Sequence, residues 1–272
     1  MTTLTVRRLL IDLQAPLPRH WNGGDAFRTA FFNALSMSFP VGEQFFIDSV
    51  RAGLAALPEP QRADFDAEVR GFIGQEATHR HLHALFNDHL ARQGLHNHWA
   101  GRAARRIARL QGLDLRAHLG ATAATEHLTA IMADHLLAHD APLAGAEPRL
   151  ATLWRWHAAE ESEHRSTAFD LYVALAGNLA WRRRLLRIVT FNFVVDVLRQ
   201  TVNNLWHDGT LWQRSTWRSA WHTLFGAQGL LPALRQPWRD YLHADFHPRQ
   251  HDARAGDRWL AEHAAQWRPV GR

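Results

Sequence analysis

His157-Ala158-Ala159-Glu160-Glu161-Ser162-Glu163-His164 is the stretch on which the reading of the whole chain turns. On a helix advancing by about 100° per residue, Glu161 lies roughly 40° round from His157 and His164 roughly 20° the other way, so three metal-binding side chains point in nearly one direction. Imidazole nitrogens and ionised carboxylates are good ligands for divalent iron, manganese or zinc, and adjacent helical turns bring them within reach of one ion. Glu160 sits at the edge of the arc, placed to orient a ligand histidine. Glu163 points away from it and reads as an outward-facing bystander.

The pair Glu161/His164, spaced Glu-x-x-His, has an earlier counterpart in Glu76/His79. Glu43 precedes the first pair by 33 residues and Glu126 precedes the second by 35. Each half of the chain therefore reads as a helical hairpin with a glutamate on its first helix and Glu-x-x-His on its second. Two such hairpins packed together predict an all-α, ferritin-like four-helix bundle with four carboxylates and two histidines at its centre, a set that suits a pair of metal ions. Glu43, Glu126 and Glu161 share their faces with apolar or small residues, where an unpaired carboxylate is costly. His157 is a further candidate, as a ligand or as a core histidine. His83, a turn beyond His79, reads as a supporting or pocket residue, and His81, His89, His96 and His98 read as surface residues.

Helical patterning runs from about Ala26 to Leu57, Gln61 to Gln93, Asp114 to His139 and Arg149 to Ala176, with a short basic helix near 98–110. Asp25 is placed to cap the first of these. Pro40 removes a backbone donor, which predicts a kink or short break at Ser38 to Val41. Trp- and Arg-rich helices follow near 180–206, 211–225 and 230–243. The expected organisation is one domain over 1–272: a bundle at 24–176, appended helices at 177–246 and a peripheral tail at 247–272. Residues 1–23 read as an irregular or short-strand lead.

Composition narrows the chemistry. With 46% hydrophobic residues the 272-residue chain can bury a sizeable core. It has no cysteine and no lysine, which excludes thiolate metal sites, Fe–S clusters, disulfides, Schiff-base catalysis and a P-loop. The net charge of +5 is scattered along the chain, so no nucleic-acid partner is expected. Neither a secretory signal nor a run of 18 apolar residues is present, and the expectation is a soluble or at most surface-bound cytoplasmic protein.

Asn33-Ala34-Leu35-Ser36 with Phe39-Pro40-Val41-Gly42-Glu43-Gln44-Phe45-Phe46, Gln75-Glu76-x-x-His79, Trp156-His157-x-x-Glu160-Glu161-x-Glu163-His164-Arg165 and Phe246-His247-Pro248 resemble the predicted metal-dependent hydrolase family, over about residues 5 to 250. Locally, His157-x3-Glu161-x2-His164 is similar to the ligand motif of p-aminobenzoate N-oxygenase-like di-iron enzymes. That resemblance implies seven ligands: Glu43, Glu76, His79, Glu126, His157, Glu161 and His164.

Such a ligand set suits two iron ions, with manganese or zinc as alternatives. The first functional expectation is O2 activation to oxygenate or oxidise a small apolar or aromatic substrate, with an external electron donor. A binuclear metal-dependent hydrolase is the alternative, and a non-catalytic iron-binding bundle the third. Trp181, Trp206, Trp212, Trp217, Trp221 and Trp238, interleaved with Arg182 to Arg184, Arg214 and Arg218, read first as packing or a homodimer contact. Attachment at a membrane surface and a pocket lid are the other readings.

Overall fold

The computed structural model describes residues 4–270. The first three residues of the N-terminal lead and the last two of the tail lie outside the described residues. The architecture is all-α. Helix α1 (Ala26–Ala56) pairs with α2 (Glu59–Arg92), and α4 (Leu115–Ala138) with α5 (Pro148–His164). Contacts of α1 with α4 and of α2 with α5 close the four into a bundle, and α3 (His98–Ala108) joins the hairpins across one end. The expected cap is present, the Asp25 side chain accepting from the Arg28 N–H at 2.9 Å.

The expected break at Pro40 does not occur, for α1 runs through it without interruption. Proline cannot donate to the carbonyl four residues back, which is that of Ser36. In its place the Asn87 side chain on α2 donates to the Ser36 carbonyl at 2.9 Å, and Asn97 donates to Met37 at 2.7 Å. The neighbouring helix thus satisfies the carbonyl that proline leaves open, and α1 stays continuous on its way to Glu43.

The fourth helix departs from expectation the other way. Instead of reaching Ala176 it stops at His164 and restarts as α6 (Thr167–Ala174). Neither glycine nor proline marks the turn. Its hold is tertiary: Arg165 is buried and clasps Asp134 at 2.7 and 3.1 Å, while the Thr167 hydroxyl donates to the buried Glu68 at 3.0 Å. Beyond it, α7 (Leu179–His207) covers α1 and α4, α8 (Arg214–Phe225) lies on α1, and α9 (Leu230–Asp240) on α4.

The tail is not peripheral. Helix α10 (Arg254–Glu262) packs on α5 and α4 with Trp259 and Leu260 buried. Its approach depends on Gly256, where a Cβ would fall 2.2 Å from Ser162 Oγ. The chain then pairs strand β2 (Trp267–Pro269) antiparallel with β1 (Arg7–Leu9), matching Arg7 with Pro269. The segment leading into β1 lies close on α2, and a Cβ at Gly74 would stand 2.3 Å from the Val6 side chain. This contact delivers Arg7 to the back of the site. His89, expected at the surface, is buried and hydrogen-bonds the Leu13 carbonyl.

Candidate metal centre

Four helices each lend part of the site: Glu43 from α1, Glu76, His79 and His83 from α2, Glu126 from α4, and His157, Glu160, Glu161 and His164 from α5. All are buried. Glu76, His79, Glu161 and His164 offer ligand atoms that lie within 4.8 Å of one another, and Glu43, His79 and His157 form a second such group. Glu126 belongs to neither group. Its carboxylate instead meets His164 Nδ1 at 2.9 Å, from the side opposite Nε2, which lies 3.3 Å from Glu76.

The polar atoms left over indicate what the site holds. Both oxygens of Glu43 and of Glu76, one oxygen each of Glu126 and Glu161, His79 Nδ1 and His164 Nε2 are buried without a hydrogen-bond partner. Orphaned atoms on this scale are costly unless something positive occupies the space between them. Burial, reinforced by the neighbouring glutamates, pushes the Glu43 and Glu76 carboxyls well above the ordinary carboxylate range. Burial beside Glu161 takes Glu126 up to about 7. Burial also drives His79 down, to the neutral form a metal ligand needs. Burial opposes the Glu161 carboxylate too, yet His164 and His157 hold it down to about 2. Burial works against protonation of His164, but Glu161 and Glu126 raise it to about 9. Two divalent cations would answer the charge of four glutamates and use the orphaned oxygens and nitrogens as ligands, so the residues present fit such a centre.

An outer layer of hydrogen bonds aims these side chains. Glu160 Oε2 lies 2.9 Å from His79 Nε2, fixing the ring so that Nδ1 faces the carboxylates, and Arg7 Nη1 reaches Glu160 at 3.0 Å. Burial nonetheless pushes Glu160 up to about 8 against the pull of Arg7. Glu163 is no bystander. It takes both Nη atoms of Arg7 at 2.7 and 2.8 Å, and the Gln75 amide at 2.7 Å. On the other flank His157 lies 2.9 Å from Glu161 through Nε2, while its Nδ1 meets His83 Nε2 at 2.7 Å and His83 Nδ1 meets Ser36 Oγ at 2.9 Å. Arg7 carries no local sign of this role, since it sits 153 residues from Glu160. Gln75 and Ser36 lie in motifs that resemble the hydrolase family but have no chemistry legible on their own.

A pocket of about 710 Å³, its open mouth included, leads to this layer. Phe31, Phe32, Leu35, Phe39, Met132, Leu136, Trp154 and Phe193 make most of its wall. Of the seven candidate ligands only His157 and Glu161 line it, which places them at its inner end. Phe39 and Trp154 stand beside His157 in this wall, whereas Phe46 and Phe72 belong to a separate core cluster.

The family of predicted metal-dependent hydrolases matches residues 5–252. The chain belongs to that family. The match takes in α1 to α9, every candidate ligand and Arg7, so membership in the predicted metal-dependent hydrolases applies to the chain with its site and not to the bundle alone. No curated protein and no solved structure matches the chain.

Proposed function

We propose that this member of the predicted metal-dependent hydrolases is a dinuclear metal enzyme that hydrolyses a small, largely apolar substrate entering by the aromatic-lined pocket. The observation that carries the reading is the convergence of partnerless buried carboxylate and imidazole atoms at the inner end of that pocket. Ions held by Glu43, Glu76, His79, Glu126, His157, Glu161 and His164 would polarise a carbonyl or phosphoryl oxygen and make a water acidic enough to attack near neutral pH. The chain does the rest. Phe39, Leu35, Met132 and Trp154 hold the apolar part of the substrate and exclude bulk water. Glu161, ionised and facing the pocket, is the carboxylate an incoming water meets, and His157 is held in register beside it by His83 and Ser36.

One observation favours a second reading, O2-dependent oxidation of the same kind of substrate at a di-iron centre with an external electron donor. Among the described residues no arginine lines the pocket, so none of them stands ready there as a fixed cation for an oxyanion or a phosphate. A ligand set of carboxylates and imidazoles is equally suited to a redox-active metal such as iron. Metal analysis of protein purified without added zinc, followed by turnover of an ester series of rising acyl length and by O2 uptake of the ferrous protein, separates the two. Ester turnover that requires bound metal supports hydrolysis. Substrate-dependent O2 uptake without ester turnover replaces it with oxidation, and protein with no bound divalent metal overturns both.

A further inference from the structure

The outer face of α7 and α8 is at odds with the rest of the surface. Along α7 the exposed residues Ile188, Phe191, Val194, Leu198, Val202 and Trp206 fall within one arc of the helix, and the arc continues back to Trp181. On α8, Arg214, Trp217, Arg218, Trp221 and Phe225 recur at helical spacing on one side, with Trp217 half exposed and Trp221 at 63%. Apolar rings of this size left in water are unusual for a chain that covers its other helices so fully.

Charge is gathered in the same place. Residues 179–225 carry seven arginines against two aspartates, a surplus equal to the whole chain's net charge of +5. Both aspartates are already neutralised from elsewhere, Asp196 by Arg102 and Arg106 of α3 and Asp208 by Arg19 and His20. Among the described residues Arg184, Arg187, Arg199, Arg214 and Arg218 have no carboxylate partner, and the Arg184 guanidinium lies over the Trp181 ring, 5.2 Å from its centroid. Among the described residues no helix is long and apolar enough to cross a membrane.

We propose that the outer face of α7 and α8 docks on an anionic lipid bilayer, its tryptophan and phenylalanine rings entering the headgroup region and its unpaired arginines meeting lipid phosphates. Tryptophan, phenylalanine and arginine on one side of a helix form the pattern by which amphipathic helices lie in the interface. A second copy seated on this face would bring two sets of unpaired arginines together, whereas anionic headgroups supply the missing charge. The inner sides of the same helices, at Phe193 and Thr223, wall the apolar pocket. The docking face stands apart from the metal chemistry and does not depend on it.

The test is co-sedimentation of the full chain with vesicles of phosphatidylcholine, with and without phosphatidylglycerol, at low and high salt. The expected result is partition onto the anionic vesicles about ten-fold stronger than onto neutral ones, and weakened by salt. A Trp217→Ser, Trp221→Ser, Phe225→Ser variant and an Arg214→Gln, Arg218→Gln variant are each expected to lose at least about ten-fold and several-fold of it, with metal content and circular dichroism unchanged. No binding to anionic vesicles overturns the proposal. So does binding that both variants retain, or a dimer in sedimentation velocity that the first variant converts to monomer while vesicles have no effect.

Discussion

The Arg7 guanidinium lies 3.0 Å from the Glu160 carboxylate although the two are 153 residues apart. Through Glu160 it reaches His79, whose other nitrogen faces the carboxylates. Partners of this kind orient a ligand and raise its basicity. Arg7→Met is therefore expected to lower metal affinity by about 10- to 100-fold, read by competition with a chromophoric chelator. Unchanged affinity in a folded variant would assign Arg7 to packing alone.

Stripped of metal by a chelator, the protein is expected to lose stability as pH rises above neutrality. Glu126 and Glu160, raised to about 7 and about 8 by burial, favour the folded state while protonated. That contribution is complete below the ordinary carboxylate pKa and is lost as pH climbs through those values. His164, raised to about 9 by its glutamates against the effect of burial, adds stability below the ordinary imidazole pKa and loses it as pH passes about 9. Glu161, held at about 2, runs the other way and its contribution disappears only in strong acid, while His79, His83 and His127, lowered by burial, cost stability in acid and return it as pH rises to the ordinary imidazole value. Thermal melts from about pH 7 to about 9 should show a falling Tm without metal and a flatter one with a divalent ion, the gain from the ion growing with pH. A gain independent of pH would argue that these carboxylates do not hold the ion.

Asn87 does for the Ser36 carbonyl what the missing N–H of Pro40 cannot. Asn87→Leu strands that carbonyl and frees the Ser36 hydroxyl that Asn87 also engages. The expected cost is about 1–3 kcal/mol in urea unfolding. A Pro40→Ala, Asn87→Leu double variant should recover part of it, since alanine restores the donor, and full additivity of the two changes would contradict the compensation.

Filling the pocket should separate substrate binding from metal binding. Leu136→Trp places a larger ring in the wall without touching a candidate ligand. The expected outcome is full metal content with binding of an apolar fluorescent dye weakened by at least about ten-fold. Dye binding that survives the substitution would move the substrate route elsewhere.

The bundle and its inner face were readable because they rest on short-range periodicity: a lone glutamate, then Glu-x-x-His one helix later, twice. The same logic placed Glu160 beside a candidate ligand histidine, and it lies 2.9 Å from His79. It failed where contacts come from distant segments. Glu163 is turned away from the cluster as its helical angle requires, yet Arg7 and Gln75 meet it there. The continuity of α1 through Pro40 depends on a side chain of α2, and the turn after His164 on Asp134 and Glu68, none of which leaves a mark on the local sequence. The tail looked peripheral because its composition is polar, while its contact with α5 rests on one glycine and two apolar residues.

The pairing of β1 with β2 bears on how the site is made during protein synthesis. Every candidate ligand has left the ribosome once His164 has, but the strand that flanks Arg7, and Trp267 whose ring lies 4.9 Å from its guanidinium, emerge long afterwards. An ion captured by the nascent bundle meets a softer His79 than one arriving after release. The timing of metal delivery relative to chain completion thus becomes a variable of maturation, set by where in the chain its brace is encoded.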